Sequence, residues 1–233
     1  MTQTESGRWH LNGVTPEELL LRLPGMGRLM VIFRENGVTH ERIGLVETAA
    51  VHDGKVTLGG DCHDAKIEPA ALSGVVFDTG SEMQGRVYPR IEFIADGDAP
   101  VVAVVGMDGP DPFVSAVGGA GRSTASPRGS LRPSDMSEQS EPETDPGHIF
   151  LNGLQGAEVE ITARRSGFSQ AWQGRVEAVK PSMGFSNIMT SDFHLHLKAG
   201  SVSDWQEEDG ETFALDEKGR RTGLAIRRVG VSR

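Results

Sequence analysis

The sequence repeats its own pattern at a distance of 130 residues. Segments 37–67 and 167–197 fall into register under that shift. Gly37 meets Gly167, Val38 meets Phe168, Gly44 meets Gly174, Val46 meets Val176, Leu58 meets Ile188, Ala65 meets Leu195 and Ile67 meets Leu197. Identities are few, but apolar positions meet apolar positions and glycines mark the same corners. A shared hydrophobic pattern with shared turn positions predicts one architecture built twice. A weaker echo pairs His10-Leu-Asn-Gly13 with Phe150-Leu-Asn-Gly153. Duplicated domains tend to place a ligand between the halves or in equivalent clefts.

The period within each copy is two rather than 3.6. Leu29-Met-Val-Ile-Phe33 reads as a strand buried on both faces. Asn36-Gly37 is a strong hairpin turn signal. Short strands are predicted at 39–46, 55–58, 65–67, 74–77, 90–94 and 101–105, with Asp53-Gly54, Gly59-Gly60-Asp61 and Asp96-Gly97-Asp98 as turns between them. The second copy predicts strands at 158–163, 170–179, 185–188, 193–198, 202–206, 211–215 and 223–228. One short helix is written before the first copy: Thr15 can cap it, Pro16 suits its first position, Glu18 completes a capping box, and Pro24-Gly25 stops it. This spacing predicts a β-rich α+β fold of duplicated antiparallel sheets with a few short helices.

Segment 118–147 is different. It is rich in Gly, Ser, Pro and acidic residues and almost free of apolar ones. Such a composition cannot bury enough surface to offset chain entropy, so a flexible linker is expected there, with a docking segment for a basic partner as the alternative. The expected organisation is an N-terminal β repeat at 1–117, the linker at 118–147 and a C-terminal β repeat at 148–233.

The net charge of −10 argues against nucleic acid as a partner, because phosphate binding wants a basic face. An anionic ligand would need a local basic pocket. The one cysteine, Cys62, excludes an internal disulfide and fits a reducing compartment. The first residues, Met1-Thr-Gln-Thr-Glu-Ser-Gly-Arg8, lack the apolar run of a secretory signal. No apolar stretch approaches the ~18 residues of a membrane span. A cytoplasmic protein without membrane insertion is expected, and exposed edge strands would allow a homodimer.

In Phe193-His-Leu-His-Leu197, strand alternation puts the three apolar residues on one face and His194 and His196 on the other. Two imidazoles on one face can hold a metal or contact a cofactor, and they equally suit a solvated sheet face. No third ligand is visible nearby in sequence. His148 follows the linker and could reach over a pocket or be an ordinary loop residue; His10 is its loose counterpart in the first half. Cys62-His63-Asp64 point alternately along a strand and cannot jointly chelate one ion well. The pairs Arg164-Arg165 and Arg227-Arg228 could offer guanidinium forks to carboxylates or simply solubilise the surface. The chain has no Gly-rich phosphate loop, no G-x-S-x-G and no H-E-x-x-H, so no enzyme can be assigned from motifs.

Several of these segments together resemble a family. Gln173-Gly-Arg-Val-Glu-Ala-Val179, Gly184-Phe-Ser-Asn-Ile188, Phe193-His-Leu-His-Leu-Lys198 and Val202-Ser-Asp-Trp205 resemble the C-terminal repeat of bacterial haem-utilisation proteins of the HemS/ChuX type. There an F-x-L-H-L-R strand follows an N-V-L segment; His196 takes the place of its histidine and Lys198 that of its arginine. Met30-Val-Ile-Phe-Arg-Glu-Asn36, Thr39-His-Glu-Arg-Ile-Gly44, Ile91-Glu-Phe-Ile-Ala-Asp-Gly97 and Phe213-Ala-Leu-Asp-Glu-Lys-Gly219 resemble further family segments. The resemblance covers about two thirds of the chain. It implies stacked antiparallel sheets and a haem cofactor in a cleft. It places the axial histidine at His148, in Asp145-Pro-Gly-His148-Ile-Phe150, with one more residue between acid and histidine than the family pattern. The expected function is cytoplasmic haem binding in haem-iron utilisation, for trafficking or degradation. His148, His194 and His196 are the candidate haem contacts, and Arg164, Arg165, Arg227 and Arg228 the candidate propionate clamps. The departures are a short chain, one tyrosine (Tyr88) and only 6% aromatic residues. These leave open a relative that kept the fold, lost haem and acts as a scaffold or regulatory partner.

Overall fold

The structure is a computed structural model and describes residues 6–96, 99–127 and 144–230. The chain divides into two compact units. The first holds the described residues up to Ile32, then 42–127, and Ser166–Phe168; the second holds Phe33–Glu41, the described residues from 144 to Arg165, and Ser169 onward.

The first unit is built from β1 (Arg8–Asn12), α1 (Pro16–Leu20), most of β2 (Arg28–Glu35), the end of β3 (Val38–Leu45), β4 (Thr48–His52), β5 (Lys55–Gly60), β6 (His63–Ile67), β7 (Gly74–Asp78), β8 (Glu82–Met83), β9 (Arg86–Val87), β10 (Arg90–Ile94), β11 (Pro100–Gly106), α2 (Asp111–Ala116) and β12 (Gly121–Thr124). Its strands run in the order β12-β1-β7-β10-β11-β2 in one sheet and β6-β5-β4 in another. The pairs within each are antiparallel. Leu19, Leu20, Leu29, Val31, Phe77, Ile91, Phe93 and Phe113 form its buried core. The capping box read from Thr15 and Glu18 is present, with the Thr15 hydroxyl accepting from the Glu18 amide and the Glu18 carboxylate accepting from the Thr15 amide.

The second unit is built from α3 (Pro146–Asn152), β13 (Glu158–Arg165), β14 (Phe168–Arg175), β15 (Lys180–Ser182), β16 (Phe185–Met189), β17 (Phe193–Lys198), β18 (Asp204–Glu208), β19 (Glu211–Leu215) and β20 (Arg221–Arg228), together with the turn end of the β2–β3 hairpin. Its strands run β3-β17-β16-β15 in one sheet and β18-β19-β20-β13-β14 in the other. Phe33, Val38, Leu151, Ile161, Phe193, Leu195 and Leu197 are buried in it. The Asn36-Gly37 turn has φ of 48° and 80°. Both values lie in the left-handed region that a two-residue hairpin turn needs and that Asn and Gly tolerate best.

The 130-residue register holds for many of the elements. Shifted by that amount, β2, β3 and β7 fall on β13, β14 and β18 residue for residue, β5 and β6 start with β16 and β17, and α1 starts with α3. The duplication therefore reaches further upstream than the hydrophobic pattern alone suggests, and the N-cap Thr15 answers to the N-cap Asp145. The His10-Leu-Asn-Gly13 echo is corrected by the same register. Its first member lies on β1 and its second at the end of α3, so the two are not equivalents. The residue equivalent to His148 is Glu18, not His10. Of the segment 118–147, Gly121–Thr124 is strand β12 and Pro146-Gly147 opens α3, while 128–143 lies outside the described residues.

Candidate functional site

Helix α3 holds His148 through three local devices. The Asp145 carboxylate caps the helix, its Oδ1 accepting from the His148 amide at 3.0 Å and its Oδ2 accepting from the Gly200 amide at 2.7 Å. This ties the helix start to the loop after β17. Pro146 suits the first helical position, and its carbonyl accepts from Trp205 Nε1 at 3.2 Å. Gly147 lets the helix sit close on β17: a Cβ there would lie 2.8 Å from Leu197 Cδ2 and 2.9 Å from Asp145 Oδ1. Phe150 and Trp205 then stack at 4.0 Å.

The result is a His148 side chain that is largely buried, with Nδ1 2.8 Å from Ser186 Oγ on β16. A serine hydroxyl can donate or accept. When it accepts, Nδ1 carries the ring proton and Nε2 presents a lone pair, which is the form in which imidazole binds a metal centre.

Ser186 and Asn187 are consecutive on β16, so their side chains leave opposite faces of the sheet. Asn187 pairs across to His196 in the β16–β17 register, and its Oδ1 lies 2.6 Å from His196 Nδ1. His148 and His196 therefore occupy opposite faces. Burial alternates along β17 accordingly. Phe193, Leu195 and Leu197 are buried, and His194 and His196 are half-buried on the other side. On the core face, Phe193 stacks on Trp172 at 4.4 Å and meets the edge of His40 at 4.8 Å.

On the face of His194 and His196 the structure supplies the third group that the sequence did not reveal. Glu41, on β3, has its Oε2 3.3 Å from His194 Nδ1 and 3.8 Å from His196 Nε2. Burial works to raise the pKa of this carboxylate, but the hydrogen bonds and charges of His194 and His196 outweigh it and hold the group down to about 2. Glu41 stands 153 residues from His194, a separation that leaves no local signal.

The four arginines all have protein acceptors. Arg164 grips Glu211 with both terminal nitrogens, at 3.0 and 2.6 Å, and Arg227 approaches the same carboxylate at 3.6 Å. Glu211 is held below the usual carboxylate range, chiefly by the Arg164 hydrogen bonds. Arg165 lies 3.6 Å from Glu35. Arg228 donates to the Gly153 carbonyl at 3.2 Å, at the C-terminal end of the helix that carries His148. His10 sits on β1. His63 is buried with Nε2 3.2 Å from the Gly44 carbonyl, a structural contact rather than a chelating one.

A duplicated set of antiparallel strands with one short capped helix opening each copy defines the fold class. No protein-family model matches the chain, and no curated protein matches it. Solved structures do. The chain is similar to the haem-degrading enzyme ChuS of Escherichia coli O157:H7, with a TM-score of 0.72 and 15% identity over 97% of this chain and 82% of that one. It is also similar to apo-PhuS, a haem-binding protein from Pseudomonas aeruginosa, with a TM-score of 0.69 and 12% identity over 97% of this chain and 82% of that one. The fold is that of ChuS and PhuS, as the sequence resemblance to the HemS/ChuX type implies. Among the described residues, no helix is long and apolar enough to cross a membrane.

Proposed function

We propose that this chain is a cytoplasmic haem-binding protein of haem-iron utilisation, acting in haem trafficking or degradation, with His148 as the axial ligand. The observation that carries the reading is His148 itself. Asp145 fixes its backbone, Ser186 engages Nδ1, and Nε2 is left as the atom to meet iron. That donor set fits haem, whose iron takes a neutral imidazole on one axial position. When bound, haem would supply the iron; the chain's own residues would position the imidazole and receive the propionates. Arg228, at the end of the same helix, is the best placed of the four arginines to do the latter, and Arg164 and Arg227 could do so only by loosening from Glu211. The fold shared with ChuS and PhuS, which are described as haem-degrading and haem-binding, supports the reading.

One observation favours the second reading, a relative that kept the fold and lost haem. Each of Arg164, Arg165, Arg227 and Arg228 is already engaged by a protein acceptor, so no arginine of the four is idle for a propionate. Titrating haemin into the purified chain separates the two. A Soret band that saturates at one haemin per chain, and that shifts and weakens in His148→Ala, supports haem ligation by His148. If no saturable band develops, the scaffold reading replaces it; if the band is identical in the variant, His148 leaves the site.

A further inference from the structure

We propose that Glu41, His194 and His196 form a binding site for a divalent first-row cation of the zinc type, separate from the haem site and on the opposite face of the β17–β16 sheet. One ligand atom from each residue falls within 4.8 Å of the other two. In a tetrahedral site with bonds of about 2.0–2.1 Å, neighbouring ligand atoms lie roughly 3.3–3.5 Å apart. The His194–Glu41 separation of 3.3 Å already meets this, and the His196–Glu41 separation of 3.8 Å needs a closure of a few tenths of an ångström.

The tautomer of His196 is set by a neighbour. Asn187 donates from Nδ2 to the carbonyls of Lys180 and Phe185, at 2.9 and 3.2 Å. This fixes which end of the amide is oxygen, so Oδ1 must accept from His196 Nδ1 at 2.6 Å. Nδ1 therefore carries a proton, which leaves Nε2, 3.8 Å from Glu41 Oε2, as the nitrogen an ion would take, displacing any proton there. An outer hydrogen bond that orients a histidine and raises its basicity is the support a metal-binding imidazole needs. His194 presents Nδ1 to the same carboxylate oxygen.

The three side chains are 20%, 27% and 11% exposed for His194, His196 and Glu41, so an ion can reach them from solvent. Two imidazoles and one carboxylate favour zinc, cobalt, nickel or iron over calcium or magnesium, which want oxygen donors. Three protein ligands leave at least one position for water or an exogenous ligand. The site does not use His148, the proposed axial ligand, so it survives the failure of that reading.

The test is titration of the full metal-free chain with Co²⁺, followed by its visible d–d absorption, and competition with Zn²⁺. The expected result is one tight equivalent with the intense bands of a low-symmetry tetrahedral or five-coordinate ion, displaced by Zn²⁺. Glu41→Gln and His196→Ala should each weaken binding at least 100-fold, and Asn187→Ala about 10-fold, in line with the loss of an outer partner. Circular dichroism and the melting temperature of each metal-free variant establish that it is folded. Zn²⁺ should raise the melting temperature of the parent chain and leave that of Glu41→Gln unmoved. Only weak, multiple binding by the parent chain, or parent-like binding by folded Glu41→Gln and His196→Ala, overturns the site.

Discussion

Gln170 donates from Nε2 to His40 Nδ1 at 2.9 Å, and the two residues stand 130 positions apart, at the same place in the two copies of the repeat. His40 Nε2 lies 3.1 Å from the Ile161 carbonyl, which can only accept, so the ring proton is on Nε2 and Nδ1 accepts from Gln170. Both residues are almost completely buried. At one position of the repeat the two copies carry different polar groups, and one donates to the other. The copies have diverged into complements, so neither could stand in for its partner.

Removing the donor should therefore be costly. Gln170→Leu keeps the volume but leaves a buried imidazole nitrogen without its partner, a loss of about 1–3 kcal/mol. Urea denaturation checks it: the midpoint should fall with the slope unchanged. An unmoved midpoint would mean that this hydrogen bond contributes nothing net to the fold.

Ser186 acts on His148 from β16. Ser186→Ala leaves the imidazole in place but frees its ring orientation and tautomer. Haemin binding by the proposed axial ligand should weaken about 10-fold while a Soret band persists. Loss of the band altogether would show that the hydroxyl does more than orient the ring, and an unchanged affinity would show that Asp145 and Gly147 hold His148 without it.

Much of the β architecture was legible because apolar alternation and positive-φ turns are local signals. Asn36-Gly37, Asp53-Gly54 and Asp209-Gly210 all form turns in which both residues have positive φ. What escaped the sequence had no such signal. Strand β12, Gly-Arg-Ser-Thr, is exposed at every residue and is held by pairing with β1 and by Arg122 lying over the Trp9 and Phe77 rings. Helix α3 hides behind a Pro- and acid-rich run, although Asp145 and Pro146 carry the same start signal as Thr15 and Pro16. The Glu41 carboxylate reaches His194 only because β3 lies beside β17, a juxtaposition that sheet order alone creates. His194 and His196 could be placed on one face from their spacing; their third partner could not.

Glu211 offers a way to locate the haem propionates. It occupies Arg164 and Arg227 together. Glu211→Gln removes the charge that holds them and releases both guanidinium groups to an anionic ligand. If haem propionates use this corner, haemin affinity should rise by up to about 5-fold, the scale of one partly exposed charge pair, and the gain should vanish in Arg164→Ala/Glu211→Gln. Haemin titrations at two salt concentrations check it, since an exposed contact weakens as salt rises. Affinity that is indifferent to the substitution would place the propionates elsewhere.

The acid limb of stability should report on Glu41. Its pKa falls from an ordinary 4.5 to about 2 in the folded chain. Between those values the folded state binds fewer protons at this site than the unfolded state does, so stability rises with pH there. The contribution is fully present above about pH 4.5 and is lost as pH falls through 2; it amounts to at most about 3 kcal/mol. Glu41→Gln cannot titrate and forgoes the whole of it. In chelator-treated samples, the stability of the parent chain should therefore drop more steeply than that of the variant between pH 4.5 and 2, with the difference largest at the top of that range. Urea midpoints measured across this range decide it. Parallel curves would mean that His194 and His196 do not hold the Glu41 carboxylate.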